Sequence, residues 1–424
     1  MKKKNYKSIK KKQELKKDKT FQVLKWIWFF GLGVIFVELI IFLAMYIKHH
    51  NKNIDITLYQ NIEEVSEGYV TVGSSNFSDS KFHKKSDKEA GLIAVYNKDN
   101  ELVNEIKFDN YYKTVFNDVF EVSDGYIVVG TAIKNKKDKP KGIIVKFDKD
   151  YNIKWEHLFK ELDNTIFRSL IIDGNYIYVI GSSIYDNDVI GNEDKGGAII
   201  LKYDLDGNLI KTNHFGGNKN GAFYDIIKAN NTIYAVGSDT TDTAMLVALN
   251  DDLGEIMVKE YSPANHIGFS SIVFVNDNLY ITCSKTIEKN KKIMQKATVL
   301  QYNLDGELLK EKTYPEEDYS IWNKIIDYNG SLYVVGDGAI KEGKKGSMFV
   351  DYIYKGIMAK YTYDLNEEWS RQYDYNNNDY YKDVIPYNNE LYVTGYTNSK
   401  IKELGSSKNN YVSFIHHYTT DGQK

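Results

Sequence analysis

The 424-residue sequence holds one cysteine, Cys283, and four prolines. The single thiol excludes a disulfide framework and any multi-cysteine metal or redox centre. So few prolines exclude collagen-like and proline-rich linker architectures. No HExxH or HxxxH pair occurs among the eight histidines, no GxSxG elbow, no GxxxxGK[ST] loop, and no GxGxxG after a strand. Zinc-hydrolase, serine-hydrolase-elbow and nucleotide-binding readings therefore lack their signatures, and no catalytic residue, metal or cofactor is assigned. Adjacent His416 and His417 are expected to point to opposite faces of one strand, against a shared metal. What the chain does have is 42% hydrophobic residues, enough for a packed core.

Charge is unevenly placed. Residues 1–50 carry 12 Lys against 3 acids, whereas the remaining residues carry 43 basic and 55 acidic groups, out of totals of 55 and 58. Between them, residues 26–47 (WIWFFGLGVIFVELIIFLAMYI) form an apolar run of 22. At about 1.5 Å per residue this matches the roughly 30 Å of a bilayer core. Trp26, Trp28 and Tyr46 suit interfacial anchors, and the eleven lysines before residue 26 favour a cytoplasmic N-terminus. A cleaved signal peptide is the rival, but its apolar region runs to about 7–15 residues before a small-x-small site. The expected organisation is a basic cytoplasmic tail (1–25), a transmembrane signal-anchor (26–47) contacting the lipid bilayer, a short linker (48–53) and an extracytoplasmic domain (54–424). Glu38 lies mid-run, where a carboxyl is costly; it either contacts a partner helix or stays protonated.

The rest of the chain repeats. The stretch FNDVFEVSDGYIVVG (116–130) has ungapped counterparts at 59–73, 167–181, 223–237, 269–283, 322–336 and 381–395. Each reads as two short strands around a turn of Asn, Asp, Glu or Gly residues, closed by a glycine, or once by Cys283. A second hairpin follows, as in GAIILKYD (197–204) and its AspLeuAspGlyAsn turn. Such turns share residues with calcium loops but lack the remaining EF-hand ligands and the closing glutamate, so they are read as hairpin turns. Four antiparallel strands per unit, repeated seven times, predict an all-β, seven-bladed β-propeller preceded by one transmembrane helix. Residues 53–58 are a candidate fourth strand for the last unit, although they run almost directly into the first.

The pattern hhVVG…GhhhKhDxDGNhxW over residues 54–424 resembles the bacterial β-propeller-repeat proteins, including those with PQQ-like repeats. That resemblance implies the fold. The group includes enzymes, assembly scaffolds and receptors, so it implies no single activity. The residues with which its quinoprotein members hold their cofactor are not identifiable here, so none is carried over.

Twelve residues before each closing position stand Asn61, Asp118, Ser169, Asp225, Ser271, Lys324 and Asp383. Propeller geometry puts this column near the central channel, where Asp118, Asp225, Lys324 and Asp383 would converge as a ligand site. The structural alternative is that each polar side chain satisfies backbone groups between blades. Loops between second and third strands are lysine-rich: Lys81, Lys84, Lys85 and Lys88; Lys134, Lys136, Lys137, Lys139 and Lys141; Lys285, Lys289, Lys291, Lys292 and Lys296; Lys341, Lys344, Lys345 and Lys355. Such a rim suits an anionic partner. The sequence thus points to a single-pass cell-membrane protein whose propeller binds or scaffolds a protein or cell-surface glycan. The alternative is a hydrolase or lyase acting on an extracellular polymer at the channel mouth. An acidic, extracytoplasmic domain argues against nucleic acid.

Overall fold

A computed structural model describes residues 57–76, 89–183, 197–216, 221–239, 243–261, 267–289, 292–316, 319–342, 351–373, 377–398 and 411–424. The apolar run 26–47 and Glu38 lie outside these residues; among those described, no helix is long and apolar enough to cross a membrane. Residues 55–424 form one compact unit.

Everything described in that unit is strand and turn. Seven antiparallel units follow one another, over residues 57–108, 113–158, 165–215, 222–261, 267–313, 319–373 and 379–418. Strands within a unit pair in chain order, four in each of the first six and three in the seventh. Units five and six are joined into one sheet by a single parallel bridge, Gln295 to Tyr319. In units four to seven, both central residues of the turn between the first two strands have positive φ (Asn230–Asn231, Asn276–Asp277, Asn329–Gly330, Asn388–Asn389). This matches the twist of a two-residue hairpin. The later turns are held by their first side chain. Asp204 Oδ1, for example, accepts from the N–H groups of Asp206 (3.0 Å) and Asn208 (2.8 Å).

The first strand of each unit packs against the first strand of the next, and that of unit seven packs against that of unit one. The chain is an all-β propeller. Residues 57 and 58 pair with Ser75 and Ser74 inside the first strand of unit one. They are not the fourth strand of unit seven; the rest of the 53–58 candidate lies outside the described residues. Unit one meets unit seven through side chains and isolated hydrogen bonds, including Thr57 N–H to the Tyr411 carbonyl (3.1 Å) and Tyr59 N–H to Ser413 Oγ (2.8 Å).

The core lies between sheets. An aromatic residue ends or directly follows each fourth strand of the first six units, eight residues before the aromatic that opens the next repeat. The two rings meet at every interior junction: Phe108–Phe116 (5.4 Å), Phe159–Phe167 (5.7 Å), Phe215–Phe223 (5.4 Å), Tyr261–Phe269 (5.4 Å), Tyr314–Trp322 (5.2 Å) and Tyr373–Tyr381 (5.5 Å). Tilted, edge and stacked contacts of this kind add about 0.5–1.5 kcal/mol beyond area burial.

The closing glycine has a steric cause. At Gly130 an added Cβ would lie 2.1 Å from the Val115 carbonyl oxygen, and the glycines at 73, 181, 237, 336 and 395 face a carbonyl just as closely. Cys283 escapes this in unit five because the facing strand carries an additional register shift at Gly268, whose φ is +52°. There Phe269 pairs with Cys283 and Ile267 with Ser284, and the buried thiol fills the space.

Candidate functional site at the inner strands

Each inner strand carries a bulge at one repeat position, skipping Gln60, Asn117, Arg168, Tyr224, Ser270, Asn323 or Lys382. A bulge bends the strand and re-aims its side chains. Three of the skipped residues reach the next unit and donate to the backbone carbonyl of its opening aromatic. These are Asn117 to Phe167 (2.6 Å), Ser270 to Trp322 (2.7 Å) and Asn323 to Tyr381 (2.6 Å).

The polar column follows the bulge. Asp118 accepts from Ser169 Oγ (2.7 Å), Leu170 N–H (2.9 Å) and its neighbour Val119 N–H (2.9 Å). Asp225 repeats this with Ser271 Oγ (2.6 Å), Ile272 N–H (3.0 Å) and Ile226 N–H (3.0 Å). Asp383 does so across the junction of units seven and one, with Asn61 Nδ2 (2.8 Å), Ile62 N–H (3.2 Å) and Val384 N–H (2.8 Å). The three carboxylates are 9%, 5% and 4% exposed. Each clasps the following unit, as the structural alternative required.

Lys324 comes from unit six and lies 3.5 Å from Asp225, with its side chain 31% exposed. It is within electrostatic reach of Asp383, Asp118 and Glu63. Five units therefore bring charged groups to one place, and Asp118, Asp225, Lys324 and Asp383 are all among them. Burial works against the ammonium, but the four carboxylates outweigh it and hold the Lys324 pKa above its ordinary value. Burial pushes Asp118 up to about 7, partly offset by Lys324 and by the bonds from Ser169 and Leu170. Burial likewise pushes Asp383 up to about 6, against Lys324 and the N–H groups of Ile62 and Val384.

Glu63 was not singled out from the sequence. Its carboxyl is pushed up to about 8, first by burial, then by the Asp118 and Asp383 charges, with Lys324 opposing. The signal was in the repeat: the equivalent positions hold Phe120, Ile171, Ile227, Val273, Ile326 and Ile385. His416 and His417 stack on Phe414 (4.2 Å) and Tyr392 (3.9 Å), respectively.

The loop side is uneven. In units five and six the second and third strands lengthen to Asn278–Lys289 with Lys292–Asn303, and Ser331–Glu342 with Asp351–Tyr361. Elsewhere these strands run six to nine residues. Within the lengthened hairpins, Lys285 pairs with Glu311, and Lys296 donates to the carbonyls of Pro315 (3.0 Å) and Glu316 (2.8 Å).

No protein-family model matches the chain, and no curated protein matches it. Solved structures do align with it. A prolyl endopeptidase aligns at 10% identity and TM-score 0.45, over 87% of this chain and 47% of that one. The Dos1 propeller aligns at 9% and 0.42, over 80% and 90%. An α-L-arabinofuranosidase from Clostridium thermocellum aligns at 12% and 0.33, over 62% and 93%.

Proposed function

We propose that this chain is a membrane-tethered, seven-bladed extracytoplasmic propeller that binds or scaffolds a partner without converting it, the partner being an anionic protein or cell-surface glycan. One observation carries the preference for binding over catalysis. The three aspartates that an acid–base mechanism would need are each engaged by three hydrogen bonds, two of them from backbone N–H groups. A carboxylate so held is a clasp, and moving a proton through it would break the ring's own contacts. The lengthened hairpins of units five and six support the loop side as the docking face, because residues 288–292 carry Lys289, Lys291 and Lys292 against Glu288. The tether rests on the apolar run 26–47 and its lysine-rich flank.

The test uses full-length protein in membranes, incubated with an anionic and a neutral cell-surface polysaccharide. Retention of the anionic polymer should fall steeply with salt. It should drop at least tenfold when Lys289, Lys291 and Lys292 become alanine, and no new reducing ends should appear. Salt-independent retention of both polymers would remove the loop-face reading. A hydrolase or lyase reading draws on the raised carboxyls of Asp118 and Asp383. Cleavage of either polymer that disappears in Asp118→Asn would establish it instead.

A further inference from the structure

Glu63 is the one carboxylate in the central cluster whose side chain makes no hydrogen bond and no ion pair among the described residues. Asp118, Asp225 and Asp383 all have donors from a neighbouring unit. Two residues earlier on the same strand, and so on the same face, Asn61 gives its amide nitrogen to Asp383. Its side-chain oxygen is left fully buried with no hydrogen-bond partner. A buried acceptor without a donor costs about 1–3 kcal/mol. A carboxylate in a position otherwise filled by Phe, Ile or Val costs stability as well. Two acceptors of this kind stand on one face of the strand, and no described residue gives either a donor.

The charge balance says what sort of donor. Glu63, Asp118, Asp225 and Asp383 face one ammonium, that of Lys324, which sits closest to Asp225 on the far strands. The unit-one side of the cluster has acceptors and no cation. We propose that the inner strand of unit one forms a binding site for an ammonium group, seated on the Glu63 carboxylate and the Asn61 side-chain oxygen. An ammonium offers three donors on a compact charge and neutralises the carboxylate in place. It comes either from a free polyamine or from a lysine side chain of a protein partner. This site is separate from the lysine-rich loop face, and it stands or falls independently of it.

The groups facing Glu63 are Asp118 from unit two, Asp383 from unit seven, Lys324 from unit six and Glu64 on its own strand. Burial and then the neighbouring carboxylates favour a proton on Glu63, and a bound ammonium replaces that proton. Binding is therefore tighter at pH 9 than at pH 6.

Full-length protein in detergent is titrated with spermidine and, separately, with an end-blocked tri-lysine peptide, following the melting temperature and the heat of binding. At least one probe should bind saturably at pH 9 and about tenfold or more weakly at pH 6. Spermidine binding alone assigns a free amine; tighter tri-lysine binding assigns a protein side chain. Glu63→Gln and Glu63→Ile should both abolish the response. Glu63→Ile restores the repeat's apolar type and should melt above the parent, so loss of binding cannot be blamed on misfolding. Glu67→Gln changes a carboxylate that is 87% exposed on the outside of the same hairpin and should leave binding intact. Absence of saturable binding by both probes, or its persistence in Glu63→Ile, overturns the site.

Discussion

Six junctions of this propeller are alike and one is different. At the interior junctions, an aromatic residue at the end of a fourth strand meets the opening aromatic of the next unit, within clusters of 9 to 14 buried hydrophobic residues that include one or both rings. Where unit seven meets unit one, the described residues include no fourth strand. Two smaller clusters lie there: Ile62, Tyr69, Ile385, Tyr387 and Tyr392, with Tyr69 stacked on Tyr96 (4.9 Å) and edge-on to Tyr387 (5.4 Å) and Tyr392 (5.2 Å), and Tyr59, Leu92 and Ala94, against which Ile415 of unit seven packs. Residue 51, eight before Tyr59, is Asn rather than aromatic. Edge-on phenols thereby replace much of the aliphatic packing across the seam, and the Asp383 clasp becomes a larger share of what holds the two units together. The lesson is that one polar clasp, made alike at Asp118, Asp225 and Asp383, bears a larger share where the apolar interface beside it is thinner.

That contrast can be broken at its strongest point first. Trp322→Ala removes the largest fully buried ring at an interior junction and should cost about 3–5 kcal/mol in denaturant unfolding. Tyr59→Ala at the seam should cost less than half as much. Equal losses would erase the distinction. Asp225→Ala comes next. It strands the Ile272 and Ser271 donors and the nearest counter-charge of Lys324, for about 3 kcal/mol. Asp383→Ala should cost less globally but should speed amide exchange selectively in Thr57–Val65, the strand it clasps. Uniform acceleration around the ring would contradict a local seam. Gly130→Ala forces a methyl against the Val115 carbonyl and should lose about 2–3 kcal/mol. Cys283→Ala, where the facing strand has moved aside, should lose about 1 kcal/mol or less.

The smallest effect is a pH slope. Glu63, Asp118 and Asp383, with pKa values near 8, 7 and 6, keep protons in the folded chain that the unfolded chain has already released. The folded state therefore binds more protons across this window, and stability falls as pH rises from about 5 to 8. Below the ordinary carboxylate range the penalty vanishes; above about pH 8 it is complete. Glu63→Gln should flatten the slope and raise the melting temperature at pH 8.5. An unchanged slope would mean that Glu63 is ionised throughout.

Much of this was legible in the residues. Seven ungapped copies of a hairpin, each with its turn pair, dictate repeated antiparallel sheets, and the column of Asn61, Asp118, Ser169, Asp225, Ser271, Lys324 and Asp383 could be placed near the axis from its position in the copy. Its role was less legible. A short polar side chain after a bulge looks the same in sequence whether it waits for a ligand or clasps a backbone N–H, because the partner lies about fifty residues away in the next unit. The bulge left no compositional trace, since Gln, Asn, Arg, Tyr, Ser and Lys all occupy it. Two signals were readable and unread: the eight-residue spacing of aromatics across junctions, and Glu63 as the charged member of an apolar column. Both appear only when copies are compared position by position instead of being matched by their common features.

The register shift at Gly268 that makes space for Cys283 has a consequence for how such rings diverge. Sterically, a glycine has crossed from one strand to its neighbour, so that the need for a missing side chain belongs to the pair of positions and to neither alone. Either change by itself is a defect, and the two together are silent. Copies of an ancestral sheet can therefore drift apart in coupled steps, each junction keeping its clearance while the letters that supply it wander.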